Sequence, residues 1–393
     1  MNCLKHSVRF AIAFLLLAAP NVLRATSPDL VYYIDSTQNV EQLKFNGSSW
    51  SVTNVTYLTS ATLPSQYGRL TGHLYGSSDN VWYVGTDSHV HELAYYGSPA
   101  SWHASDVTVL AGGPNAQLNS PLTSHTASGG YDDIYYFATD DDIHELTFNG
   151  SSFKDTDITV ASGAPQPASN GPDNMVSIVN TTASEEDTFF IDTNFHVDVI
   201  KFLYSTSTWT HKDINAAYGG NLPLDNTNLA AHMYGTWENV YYAGSIGPYL
   251  TGDLCQFAWP GSGAYDNYDI TILAGSPQPI SYADLTAFQN GTQEDVFFAS
   301  NTTYPDVYMD KESSSTWSDE NVTGLSGGSS PDPSRGMTGH IWSSTPEVFS
   351  FLTNGHVYEN SYYSSSWHAL DVSAGVSAPA AEASSPIIAF VGI

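Results

Sequence analysis

The sequence predicts an all-β protein, a seven-bladed β-propeller whose ring is closed by the C-terminal strand pairing into the N-terminal blade. Three observations carry this expectation. A unit of roughly 50 residues recurs seven times; each copy holds short β-branched and aromatic runs parted by polar turns; and the strand missing from the first copy reappears at the far end of the chain. About four short strands in a repeat of that length is the pattern of a propeller blade.

The clearest unit reads Val81-Trp82-Tyr83-Val84, the turn Gly85-Thr86-Asp87-Ser88-His89, then Val90-His91-Glu92-Leu93-Ala94-Tyr95, Trp102 and Asp106-Val107-Thr108. The closing aromatics are Trp50, Trp102, Phe153, Trp209, Tyr265, Trp317 and Trp367, at successive intervals of 52, 51, 56, 56, 52 and 50 residues. Each is followed by Asp/Asn-x-Thr or a close variant. Asn46-Gly47 and Asn149-Gly150 mark hairpins. No run with a helical period lasts beyond two turns.

Six units open on an inner strand such as Leu70-Thr71-Gly72-His73-Leu74. The first unit starts directly at Leu30-Val31-Tyr32-Tyr33, and Ile387-Ile388-Ala389-Phe390-Val391 supplies its inner strand. Closure of this kind removes an open edge. The third inner-strand position is always small (Gly72, Ser124, Ser177, Ala231, Ala287, Gly339, Ala389), as crowding near the axis requires. The fourth holds His73, His125, Ile178, His232, Phe288, His340 and Phe390. Because Ile and Phe alternate with His there, packed structural histidines are the first reading; a metal or pH-sensitive cluster in the channel is the second.

Residues 1–25 read as a secretory signal, with Lys5 and Arg9 ahead of an apolar stretch too short to span a bilayer. That leaves residues 26–393 as one propeller domain of seven repeats, exported, with Cys255 as a lone and inert thiol. The formal net charge is −30, and without the signal seven Lys and Arg face 40 Asp and Glu. Such a surface repels nucleic acid and anionic membranes but says nothing against neutral ligands such as sugars.

The motif Tyr83, Val90-His91-Glu92-Leu93, Tyr95 and Trp102 is similar to the repeat of the fungal fucose-specific lectin family. That resemblance implies a propeller holding sugar in pockets between blades. It implies an Arg near the start of the second strand, a Glu in the third, and aromatics three and about eight residues further on. Carried over, the sugar-binding residues are Glu92, Tyr95 and Trp102, Glu145, Phe148 and Phe153, and Glu359, Tyr362 and Trp367. Other units place Gln42, Val199, Gln256 and Met309 at the Glu position. Eleven residues before the three glutamates, where the family has Arg, stand Val81, Ile134 and Val348. The remaining arginines, Arg69 and Arg335, precede the inner strands of the second and seventh units. The implied partners are glycans or glycoconjugates, bound in several pockets with the avidity that repetition gives.

No cofactor, metal or catalytic residue is assigned. The turns Asp87-Ser88-His89, Asp140-Asp141-Asp142 and Asp192-Thr193-Asn194 lack the Gly of a calcium loop. Two scattered arginines do not make a sialidase cluster, and no Ser nucleophile elbow or HExxH motif occurs. A non-enzymatic lectin is therefore expected, with a protein-interaction scaffold as the alternative and a glycoside hydrolase, hidden in the divergent fifth or sixth unit, as the third reading.

Overall fold

The structure, a computed structural model, describes residues 27–168, 174–245, 252–280, 282 and 284–392. The signal segment and the fifth-unit insertion Ile246-Gly247-Pro248-Tyr249 lie outside these residues. Seven antiparallel sheets form seven blades. Blade 1 is built from Ile387–Val391, Asp29–Ile34, Val40–Phe45 and Trp50–Asn54, from the axis outward. Its first two strands pair from Asp29↔Val391 to Tyr33↔Ile387, so the C-terminal strand closes the ring as expected. Blade 5 carries one additional two-residue strand, Leu222–Pro223. Among the described residues no helix is long and apolar enough to cross a membrane.

The second strand of each blade is sandwiched between both neighbours, which explains its nearly unbroken apolar run. Alternation splits that run between two interfaces. In blade 1, Leu30 and Tyr32 pack with Val81 and Tyr83 of blade 2, whereas Val31 and Tyr33 pack with Phe349 and Phe351 of blade 7. Near the axis a Cβ on Gly72 would lie 2.8 Å from Ile388 Cδ1 and 2.7 Å from the Asn80 carbonyl oxygen. The small third position is thus a requirement of close backbone approach.

The Asp/Asn-x-Thr word does more than end a strand. In each blade it opens a one-turn helix of five residues, too short to show a helical period in sequence. Asp106, for example, caps Val107–Ala111 by accepting the Val109 N–H at 3.0 Å. Two residues on, the Thr108 hydroxyl accepts the Val90 N–H at 2.8 Å, where the third strand begins. Thr56, Thr159, Asn215, Thr271, Thr323 and Ser373 repeat this bond in the other blades. One tripeptide therefore starts a helix and satisfies the end of a strand that would otherwise leave a buried donor.

Candidate functional site

An open pocket of about 430 Å³ lies between blades 7 and 1. Blade 7 contributes Glu347 from its second strand, Glu359, Ser361 and Tyr363 from its third, and His368 from its fourth; blade 1 contributes Asp29, Phe45 and Trp50. The size suits a small ligand. Tyr363 stacks on His368 with ring centroids 3.8 Å apart, and the Ser366 hydroxyl lies 2.9 Å from His368 Nε2. Phe45 and Trp50, 5.3 Å apart, form the opposite wall.

Strand alternation decides which predicted residues meet here. Glu359, Ser361 and Tyr363 share one face; Tyr362, three residues after the Glu, is on the other. Trp367 sits directly across from Tyr362 and turns the same way, its indole N–H donating to Glu320 of blade 6 at 3.2 Å. So Glu359 is separated from Tyr362 and Trp367 by its own sheet, and meets the aromatics of the following blade instead. Blade 2 repeats the arrangement. Glu92 faces blade 3, while Tyr95 and Trp102 face blade 1, where Tyr32 meets Trp102 edge-on at 6.1 Å and Lys44 lies 5.6 Å from the Tyr95 ring. The partners for Glu92 are Phe148 and Phe153, 4.8 Å apart in blade 3.

Glu145 is buried and accepts the Tyr135 hydroxyl at 3.1 Å, in a network with Glu186 of blade 4. Burial, reinforced by the Asp132 charge, raises the Glu92 carboxyl to about 7, against an opposing Ser105 hydrogen bond. Burial and the Glu186 charge raise Glu145 as well. A carboxyl poised near 7 can donate or accept a hydrogen bond to a hydroxyl.

The aliphatic residues Val81, Ile134 and Val348 are fully buried on the face opposite the glutamates. The second-strand side chains on the glutamate side come one residue earlier, at Asn80, Asp133 and Glu347; Asn80 Nδ2 donates to Glu92 at 3.3 Å. Arg69 and Arg335 precede the inner strands at the other end of the blades. Leu70 pairs with Tyr83 and Met337 with Ser350, late in the second strands, whereas the pocket lies where those strands begin. Arg335 donates to the Leu352 carbonyl at 3.0 Å.

Sequence reasoning missed the stacked pair Tyr363/His368 and its counterpart Tyr96/His103, whose centroids are 4.3 Å apart. The signal was present: Ser101-Trp102-His103-Ala104 and Ser366-Trp367-His368-Ala369 are the same word, each preceded by a Tyr-Tyr pair. The inner histidines reach across blade interfaces. His73 lies 3.0 Å from Asp132, His125 3.6 Å from Glu186, His232 3.3 Å from Glu294 and His340 3.0 Å from Asp29. The acidic turns use their carboxylates on their own backbone; Asp192 accepts the N–H groups of Asn194 and His196.

No protein-family model matches the chain, and neither does any curated sequence. Solved structures share its fold. The BP39L lectin from Burkholderia pseudomallei is similar at 13% identity over 87% of this chain and 94% of that one, with a TM-score of 0.63. AofleA from Arthrobotrys oligospora matches at 14% identity over 83% and 90%, with a TM-score of 0.52. The Aleuria aurantia lectin, a six-bladed propeller with a fucose recognition mode, matches at 12% identity over 77% and 95%, with a TM-score of 0.53. The seven-bladed chain therefore resembles the fucose-specific lectins in architecture, with one blade more than the Aleuria protein.

Proposed function

We propose that this chain is an exported, non-catalytic carbohydrate-binding protein whose ligands enter the pockets between blades. The observation that carries the reading is the pairing, in the blade 7/1 pocket, of the Glu359 carboxylate with the Phe45 and Trp50 rings of the adjoining blade. A sugar needs both at once: an apolar C–H face stacks on an aromatic ring, and its hydroxyls need fixed polar partners. The blade 2/3 interface offers a second set in Glu92, Tyr96, His103, Phe148 and Phe153. Fucose is the first sugar to test, since the Aleuria lectin has been captured with α-methyl-L-fucoside. The acidic surface favours neutral glycans over charged ones.

A glycan array probed with the wild type, Trp50→Ala, Glu359→Gln and Tyr362→Ala tests this. The first two substitutions should weaken binding about ten-fold or more, and Tyr362→Ala far less, because its ring is on the other face. A blank array, or equal losses for Trp50→Ala and Tyr362→Ala, would discard the cross-blade pocket.

The scaffold reading has its own support. The one-turn helices expose Tyr57, Leu58, Val109, Leu110, Val160, Ile272, Leu273 and Leu325. They lie where the fourth strands end, away from the hairpin that carries Phe45 and Trp50. Leu110→Ser and Ile272→Ser should leave glycan binding unchanged and abolish any protein contact made by that side.

A further inference from the structure

One position on the third strand separates closed interfaces from open ones. It lies two residues after the place where the lectin resemblance puts a Glu, and therefore on the same face. Blades 1, 4 and 6 have Lys44, Lys201 and Lys311 there; blades 2, 3, 5 and 7 have Ala94, Thr147, Ala258 and Ser361. Ser361 lines the open blade 7/1 pocket, which shows where the position points.

Each lysine turns toward groups that a sugar would use. Lys201 Nζ lies 4.3 Å from the ring centroid of Trp259, the blade 5 counterpart of Phe45. It is held there by Glu185 at 2.8 Å, Asp187 at 3.0 Å and Glu238 at 3.5 Å. Lys44 Nζ lies 5.6 Å from the ring of Tyr95, the blade 2 counterpart. Lys311 contacts Glu320, which accepts the indole N–H of Trp367, the blade 7 counterpart of Trp50, at 3.2 Å. An ammonium over a ring takes the face on which sugar C–H groups would stack. A neutral ligand cannot displace it cheaply, because removing the ammonium would strand buried carboxylates.

Charge balance does not set this pattern. The 4/5 and 7/1 interfaces both bring acids of adjoining blades together, Asp187 with Glu238 and Glu347 with Asp29, yet only the first has a Lys. Blade 1 has Lys44 across from Leu30. At blade 2/3, Asn80 meets Asp132 as a donor, at 3.2 Å. The lysines track the Glu position instead. Gln42, Val199 and Met309 stand there in the three blades with Lys, whereas Glu92, Glu145 and Glu359 each precede a short residue.

Two of the four interfaces with a short residue are incomplete for other reasons. At blade 3/4 the Tyr204 ring meets Phe202 edge-on at 5.5 Å, and its hydroxyl contacts Glu186. At blade 5/6 Gln256 replaces the Glu, and Glu312 replaces the first aromatic.

We infer that Lys44, Lys201 and Lys311 are built-in occupants of the 1/2, 4/5 and 6/7 interfaces, leaving blade 2/3 and blade 7/1 as the complete sugar pockets of the ring. The inference rests on the carbohydrate reading above and adds its valency, together with the residue that sets it.

The test opens a closed pocket in the full chain. Gln42→Glu with Lys44→Ala gives blade 1/2 the pair found at Glu92 and Ala94, opposite Tyr95 and Trp102. The Tyr32 hydroxyl, which accepts from Gln42 at 2.7 Å, can donate to a carboxylate there as Tyr135 does to Glu145. Equilibrium titration with α-methyl-L-fucoside should count two sites in the wild type and three in the double variant. An unchanged count in a double variant that unfolds cooperatively, or a count lowered by Lys44→Ala alone, would overturn the inference. Reductive methylation of the wild type reads the amines without any sugar: Lys201 should react at least ten-fold more slowly than the exposed Lys154. If the wild type binds no fucoside, the carbohydrate reading loses its first ligand, and methylation still judges the plug. Lys201 reacting as fast as Lys154 would overturn it.

Discussion

The imidazole Nε2 of His340 lies 3.0 Å from Oδ1 of Asp29, joining blade 7 to blade 1 across the seam where the two ends of the chain meet. Three other interfaces repeat this His–carboxylate contact, and the equivalent positions at the sixth interface are Phe288 and Pro346. The inner histidines thus act in register with an acid at the start of the next blade's second strand. Each also lies against an aromatic of its own blade, as His340 does on Phe349 at 5.9 Å. They bind blade to blade, and at the sixth interface Phe288 and Pro346 replace both members of the pair.

Ring closure should dominate stability. Ending the chain after Ser385 would remove the inner strand of blade 1, expose the Asp29–Ile34 edge and uncover the buried contacts of Ile387. The expected loss exceeds about 4 kcal/mol, more than an ordinary single substitution costs. Urea unfolding followed by far-UV circular dichroism reads it. A truncated chain with the wild-type midpoint would show that the closing strand contributes nothing.

The repeated Thr offers a finer test. Thr108→Val keeps the shape but removes the acceptor for the Val90 N–H, leaving a buried donor unsatisfied at a cost of about 1–3 kcal/mol. Thr108→Ser should recover most of it, because Ser373 does the same work in blade 7. Equal stability of the Val and Ser variants would mean that water replaces the lost bond.

Much of this design was legible in the chain. The aromatic spacing, the small inner-strand position and the displaced strand 387–391 depend on local pattern, and local pattern is what a repeat preserves. The helices were not, since five residues span little more than one turn and leave no period to read. The site residues were half legible. Glu359, Tyr362 and Trp367 stand where the lectin resemblance puts them, but an offset of three on a strand reverses the face. Parity separates Glu359 from Tyr362; only the neighbouring blade reveals that Phe45 and Trp50 are its partners. The acid pairs were unreadable for the same reason, because Glu347 and Asp29 meet across the seam.

Stability should fall as pH rises through neutrality. Burial, first among the causes in each case, lifts Glu41, Glu92 and Asp310 to about 7 and Glu294 to about 8 in the folded protein. A carboxyl whose pKa is raised by folding holds its proton more tightly in the native state, so its contribution is complete below the unfolded value and is lost as pH passes the folded one. His232, pushed down to about 4 by burial, works oppositely and costs stability as pH falls below its ordinary 6.5. The four carboxyls outweigh the single His232, so the thermal midpoint should be highest near pH 4.5–5 and drop toward pH 8.5, and Glu92→Gln should flatten that drop. A midpoint that climbs from pH 6 to 8.5 would contradict the burial of these carboxyls.

Cys255 should resist modification while the protein is folded. It is fully buried, its thiol is raised to about 12 mainly by burial, and Asn221 Nδ2 lies 3.1 Å from its sulfur. The thiolate is the reactive form, so both access and ionisation oppose attack. A chromogenic disulfide reagent should react on the timescale of unfolding and at once in denaturant. Prompt labelling of the native chain would show that the blade 5 core opens.

The near-identity of the Tyr96/His103 and Tyr363/His368 pairs predicts how binding divides between pockets. If both flank sugar sites, Tyr96→Ala and Tyr363→Ala should each remove about half of the binding capacity for a soluble monosaccharide, leaving the remaining affinity unchanged. On a surface dense in glycans, where two sites act together, either single change should weaken retention far more than two-fold, because avidity depends on both being engaged. The double variant should bind neither form. Equilibrium titration of the monosaccharide beside surface binding separates the two effects. If the two single variants differ by ten-fold or more, the pockets are unequal despite their shared Ser-Trp-His-Ala word. The distinction would then fall to what surrounds the stacked pair: Glu347 facing Asp29 in one, Asn80 facing Asp132 in the other.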